Sequence, residues 1–136
     1  MIVQKEFSLP PFPRGYHLIT SYITKSLPEL PETGLLNILL KHTSAAITIN
    51  ENADPTVRDD FESFMNRLVP EGEHYFVHTI EGRDDMPAHL KSSLLGQTIT
   101  IPITHRRLNL GTWQGIYLCE FRNRGGSRRL VVTITG

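Results

Sequence analysis

The chain reads as an α+β protein: a single-domain, largely antiparallel β-sandwich or sheet with two mid-chain helices. Three observations point there. Segments that alternate with a period of two outnumber segments with helical spacing. The two helical segments follow one another in the middle of the chain, with strands on either side. The clearest alternation, Thr98 to Thr104, sets Ile99, Ile101 and Ile103 against Thr98, Thr100, Pro102 and Thr104. The length, 136 residues, suits one domain over residues 1–136 with a real core.

Taken in order, Gln4 to Phe7 is a short strand, broken by Pro10, Pro11, Pro13 and Gly15. Tyr16 to Thr24 alternates and predicts a second strand, and Pro28, Pro31 and Gly34 mark a loop. Leu35 to Lys41 is apolar apart from Asn37, which suits a central strand buried on both faces. Ala45 to Asn50 follows across Thr43-Ser44, either pairing with that strand as a hairpin or continuing it through a bulge.

Asp54-Pro55 opens a helix, the Asp as cap and the Pro in the first turn. Val57, Phe61, Phe64, Met65 and Leu68 then recur at helical spacing and need a sheet to lie on. Tyr75 to Thr79 alternates as a strand. Asp85-Met86-Pro87 begins a second, shorter helix that ends before Gly96, with His89 in its first turn. In Thr98 to Thr104, Pro102 marks an edge or a bulge. His105-Arg106-Arg107 is a turn, and Gly111 to Gly115 is a bend carrying Trp113 and Gln114. Ile116 to Arg122 and Arg129 to Thr135 are strands, joined by Asn123 to Ser127 as a hairpin turn.

The formal net charge is +0, which argues against a dedicated nucleic-acid binder, because phosphate affinity comes from surplus Lys and Arg. Cys119 is the one cysteine, so neither an internal disulfide nor a thiolate metal cluster can form. That fits a reducing compartment. The first residues lack the apolar core of a signal peptide, and no apolar run approaches a membrane span. The expectation is a cytoplasmic protein without membrane contact, whose balanced charge leaves self-association open.

Five groups of residues can carry chemistry. His42, His78 and His89 each fall at or near the end of an element, and three neutral imidazoles with an open position make a Zn²⁺-type site. They serve equally as acid–base groups, or stand apart as unrelated surface histidines. Asn50-Glu51-Asn52 with Asp54 either puts Glu51 at a pocket rim as a base or as an orienter of a histidine, or simply caps the next helix. Trp113, the only tryptophan, reads as a core or interface anchor, and Gln114 beside it suggests close approach of the backbone to something. Glu120 stands in an apolar run and must either meet an arginine or point into a pocket. Arg122, Arg124, Arg128 and Arg129 flank Gly125-Gly126 as a phosphate clamp or a solvated tip, and Lys91, Ser92 and Ser93 can join a phosphate site.

These residues together resemble a known family. The runs are His42-Thr43-Ser44-Ala45, Ile49-Asn50-Glu51-Asn52, Asp84-Asp85-Met86-Pro87-Ala88-His89, Leu95-Gly96 and Leu110-Gly111-Thr112-Trp113-Gln114-Gly115-Ile116, with Glu120 beyond. They are similar to the YjbQ-like family, whose members often carry the label secondary thiamine-phosphate synthase. The resemblance implies a small α+β sandwich assembled as a homotrimer. It implies pockets lined by His42, His78 and His89, with Asn50, Glu51, Trp113, Gln114 and Glu120 nearby, and a site for a divalent metal ion (Zn²⁺ or Mg²⁺) or an oxyanion such as phosphate. It implies transfer of a pyrimidine-methyl group from its diphosphate to a thiazole phosphate, with release of pyrophosphate. The His105-Arg106-Arg107 turn departs from the Asp-Gly type turn of many relatives.

On that reading His89, or His42 with Glu51, is the acid–base group. Arg124, Arg128, Lys91 and a histidine-bound ion neutralise the leaving pyrophosphate, with Ser93 and Asn50 beside them. Trp113 or Tyr75 stacks on the pyrimidine. The alternative is a non-catalytic protein that binds a small phosphorylated metabolite or a metal.

Overall fold

The computed structural model describes residues 1–136. Two antiparallel sheets form the body. The larger runs in the order β1 (Ile2–Ser8), β8 (Arg129–Thr135), β3 (Thr33–Leu40), β5 (Thr98–Thr104) and β6 (Arg107–Leu108). The smaller runs β2 (Gly15–Leu18), β7 (Gln114–Glu120), β4 (Ala45–Glu51). Helices α2 (Pro55–Leu68) and α3 (Asp85–Leu95) cover the outer face of the smaller sheet.

Side-chain alternation makes these layers. Leu36, Ile38 and Leu40 of β3, Ile101 and Ile103 of β5, and Leu130, Val132 and Ile134 of β8 point inward. They meet Ala45 and Ile47 of β4 and Ile116 and Leu118 of β7. The opposite parity of the small sheet, Tyr16, Ala46, Tyr117 and Cys119, packs with Met65 of α2 and Ala88 of α3. The small sheet is therefore buried on both faces, which is why β7 reads as an unbroken apolar run. The outer face of the large sheet carries a polar ladder among the exposed Ile2, Leu35 and Leu39, with Asn37 Nδ2 donating to Thr98 Oγ1 and Thr100 Oγ1 and Gln4 Nε2 donating to Thr133 Oγ1.

Four expectations need correction. Of the expected second strand only Tyr16 to Leu18 is extended, within β2, and Thr20–Ser26 forms a third helix, α1. Ile19 and Ile23, one turn apart, drop into the core between the sheets, so burial overrides the β-propensity of an Ile/Thr/Tyr run. Tyr75 to Thr79 is not a strand; Val77 is 95% exposed and no neighbour pairs with it. β3 and β4 neither pair nor continue one another, because Lys41–Ser44 carries the chain from one sheet to the other. The same holds for β7 and β8, so Asn123–Ser127 is a crossover and not a hairpin turn. Pro102 lies where β5 has only the two-residue β6 as outer neighbour, which is the expected edge.

A buried ion cluster fastens these joints. Arg128 donates from Nε to Glu120 Oε1 (2.8 Å) and from Nη2 to Glu120 Oε2 (2.5 Å), and its Nη1 donates to Ser44 Oγ (3.0 Å). One residue from each sheet joint thus meets at a single guanidinium. A side chain on Gly125 would collide with that Glu120 carboxylate and press it off Arg128. Between α2 and α3, Asn66 Oδ1 accepts from Lys91 Nζ (2.7 Å) and from Arg14 Nη2 (2.7 Å).

Candidate metal centre

Asp85, the first residue of α3, is 1% exposed and has partners on both carboxylate oxygens. Arg122 Nη1 donates to its Oδ1 at 2.5 Å, while Arg122 Nε donates to Asp84 Oδ2 at 3.0 Å. Burial pushes the Asp84 carboxyl up, but hydrogen bonds from Asn123 N–H and Arg122 outweigh it and hold the group below the usual carboxylate range. The second oxygen of Asp85, Oδ2, lies 2.7 Å from His78 Nε2 and 3.2 Å from His89 Nε2. His78 comes from the coil before α3. His89 lies at i+4 from Asp85, on the same helix face and one turn in, not in the first turn. One ligand atom from each of the three lies within 4.8 Å of the others.

The far side of His89 fixes what its near side can do. Nδ1 lies 2.8 Å from the carbonyl oxygen of Thr43, which can only accept. Nδ1 therefore carries the proton, and in the neutral ring Nε2 is a lone pair facing a carboxylate oxygen. Two acceptors at that distance repel unless a proton or a cation lies between them. A nitrogen pair with one carboxylate, oriented from behind by a backbone carbonyl and an arginine, is a donor set that fits a divalent metal ion. His78 also forms one wall of a cavity of about 320 Å³, whose other walls include His74, Thr79 and Arg83.

The remaining sequence candidates divide. His42 stays out of the trio: its Nε2 accepts from Arg129 N–H at 2.8 Å. Burial, then the nearby Arg128, lower its tendency to take up a proton. Glu120 meets Arg128 and not a pocket. Lys91 is buried under α2 with its ammonium on Asn66, so it faces no ligand. Ser93 is exposed on α3, and the side chain of Arg124 makes no hydrogen bond or ion pair. Asn50, Glu51, Trp113 and Gln114 lie at the opposite end of the small sheet. Ala45 pairs with Glu120 and Glu51 with Gln114, so six residues of strand, roughly 20 Å, separate the two ends.

At that far end Glu51 Oε2 accepts from Ala53 N–H and Asp54 N–H, and Asp54 Oδ1 accepts from Thr56 N–H: the capping arrangement. Asn50 Oδ1 accepts from Glu51 N–H. Gln114 Oε1 accepts from Gly111 N–H, which is the close backbone approach the glycines signalled. Trp113 is 65% exposed and anchors nothing within the chain.

Sequence reasoning missed Asp85 as a ligand, Arg122 as its counter-ion and Arg83 as a cavity wall. An acidic residue opening a helix with a histidine four residues on was the available signal for the first.

The fold and this cluster define a class: small α+β sandwiches with a histidine–carboxylate centre where a helix starts against a crossover. The chain belongs to the UPF0047 protein YjbQ-like family, whose model matches residues 5–136. It is 51% identical to the UPF0047 protein YjbQ of Salmonella typhimurium over 138 residues, covering 100% of this chain and 99% of that protein. It is 49% identical to the protein of the same name in Escherichia coli O157:H7, with the same coverage. A conserved hypothetical protein of Thermus thermophilus superposes with a TM-score of 0.82 at 32% identity, covering 94% of this chain and 97% of that one. A member of the yjbq/upf0047 family from Clostridium acetobutylicum gives 0.81 at 35% identity, covering 96% and 99%.

Proposed function

We propose that His78, Asp85 and His89 hold a divalent metal ion, and that the cavity walled by His78, Arg83 and Thr79 takes a small phosphorylated metabolite. The observation that carries this reading is His89 Nε2 lying 3.2 Å from Asp85 Oδ2, with the other ring nitrogen committed to Thr43. Two nitrogens and one oxygen favour Zn²⁺ over Mg²⁺, which prefers oxygen donors. Bound there, such an ion supplies positive charge to polarise phosphate oxygens or stabilise a leaving pyrophosphate. Arg83 adds a second cation to the same cavity.

The reaction this suits is a thiamine-phosphate synthase-type transfer, a pyrimidine-methyl diphosphate joined to a thiazole phosphate with loss of pyrophosphate. Binding without turnover is the second reading, favoured by the distance of Glu51 from the histidines. A homotrimer belongs to the proposal. In a cyclic assembly one end of each subunit meets a different end of the next. Asn50, Glu51, Trp113 and Gln114 of a neighbour can then approach the histidine end, and Phe64, Tyr75, Val77, Ile80 and Trp113 are exposed apolar groups available for burial.

Titrating the chain calorimetrically with Zn²⁺ should give one site per subunit. His89→Ala and His78→Ala should each weaken it roughly a hundredfold with the circular dichroism unchanged; undiminished affinity in both would sink the centre. With both substrates supplied, pyrophosphate release that is lost in His89→Ala supports the transferase. Saturable binding without release supports the carrier. Light scattering should give three times the subunit mass; a monomer removes the trimer from the reading.

A further inference from the structure

The largest cavity lies away from the histidine centre, about 560 Å³ in volume, between α1, the loop after it and the β5–β6 turn. Its floor is apolar. Leu27, Leu30, Leu108 and Leu110 are each half-buried and pack on their inner sides against the main core, so the cavity is a gap in the rim of that core. Pockets of this size and lining take small molecules whose orientation is fixed by a few polar groups.

Two polar groups here have unspent donors. Arg107 lines the cavity, and its guanidinium makes no hydrogen bond or ion pair with any residue of the chain. The other arginine of the rim, Arg106, is already matched: its Nη1 lies 3.4 Å from Glu29 Oε1 and its Nε 3.5 Å from Glu32 Oε2. On the floor side, Thr20 Oγ1 accepts from Ile116 N–H at 2.9 Å, while its own hydroxyl proton reaches no protein acceptor.

A ligand matching this lining has an apolar body and acceptor atoms at its head. The rim is balanced overall, two arginines against Glu29 and Glu32, but both carboxylates lie on Arg106 and neither on Arg107. An incoming anion therefore finds its donors on Arg107, and a monoanion adds one charge beside Glu29 and Glu32 where a dianion would add two. The planar fork of arginine fits a carboxylate through two parallel hydrogen bonds. We infer that the cavity between α1 and the β5–β6 turn is a binding site for an apolar monocarboxylate, with its head on Arg107 and its body on the leucine floor.

Sodium decanoate, below its micelle concentration, is the probe. Calorimetry on the full chain should show saturable binding with one equivalent per subunit. Arg107→Met should weaken decanoate roughly tenfold and leave the weaker binding of decanol unchanged. Decyl phosphate should bind less well than decanoate. His78→Ala should bind decanoate as the parent does, which separates this cavity from the metal centre. No saturation, equal affinity in Arg107→Met, or tighter binding of decyl phosphate would each overturn the assignment. So would a change of subunit number in Arg107→Met, since the cavity would then be a contact between copies.

Discussion

His42 reads in the sequence as a metal ligand because a histidine beside two hydroxyls is costly without a ligand. It has a partner of another kind: Arg129 N–H, whose backbone would otherwise start β8 with a free donor. A proton on Nε2 breaks that bond, and burial with Arg128 nearby lowers the group below its ordinary 6.5. A lowered value in the folded chain means the unfolded chain takes up the proton first. The stabilisation is complete above 6.5 and drains away as pH falls through the folded-state value. His42→Ala should cost about 1 kcal/mol above that pH, from one hydrogen bond lost. The penalty should shrink on acidification, as read from urea midpoints along a pH series. A penalty that stays constant in acid would show that the ring titrates no differently on folding. His89 makes the contrast: sequence could nominate both imidazoles, but only the acceptors on each ring nitrogen tell which one faces a site.

At the level of elements, the β5–β6 turn stands out. His105 and Arg106 have φ of 51° and 63°, the left-handed region, which ordinary side chains enter at a cost of roughly 1–2 kcal/mol each. Two-residue hairpins of this shape favour Asn-Gly. What holds this one is ionic: His105 Nδ1 lies 3.0 Å from Glu32 Oε1, and Arg106 reaches Glu29 and Glu32. Exposed pairs of that kind contribute less than the backbone strain removes. The double substitution His105→Asn with Arg106→Gly should therefore stabilise the chain by about 1 kcal/mol, seen as a higher urea midpoint; an unchanged or lower midpoint would mean the ion pairs dominate. The helices α2 and α3 were legible because a cap, a proline in the first turn and a glycine at the end agree with the apolar spacing. Helix α1 was not, because a Thr-Ser-Tyr-Ile-Thr run favours a strand until Ile19 and Ile23 find the core on one side. Tyr75–Thr79 failed for the converse reason, an alternating run with no sheet edge to join.

For the molecule as a whole, the class of fold was readable and the sheet membership was not. Local alternation says which residues point inward; it does not say that β3 and β4, or β7 and β8, belong to different sheets. That assignment rests on pairings distant in sequence, β8 with β1 and β3, and β7 with β2 and β4. The candidate centre was half legible for the same reason. Two of its three groups carry imidazole and announce themselves, whereas Asp85 looks like any acid at a helix start until His78 arrives from seven residues before it. Cys119 sits on β7, the middle strand of the smaller sheet, between Tyr16 and Ala46, and is fully buried. Burial pushes its thiol well above the ordinary range, so neither ionisation nor access favours attack. An alkylating reagent should leave the native chain unmodified, and its slow incorporation, followed by mass, should keep time with global unfolding. Rapid labelling without loss of structure would mean the helical layer lifts off on its own. One sulfur atom thus serves as a built-in clock for how often the whole chain opens.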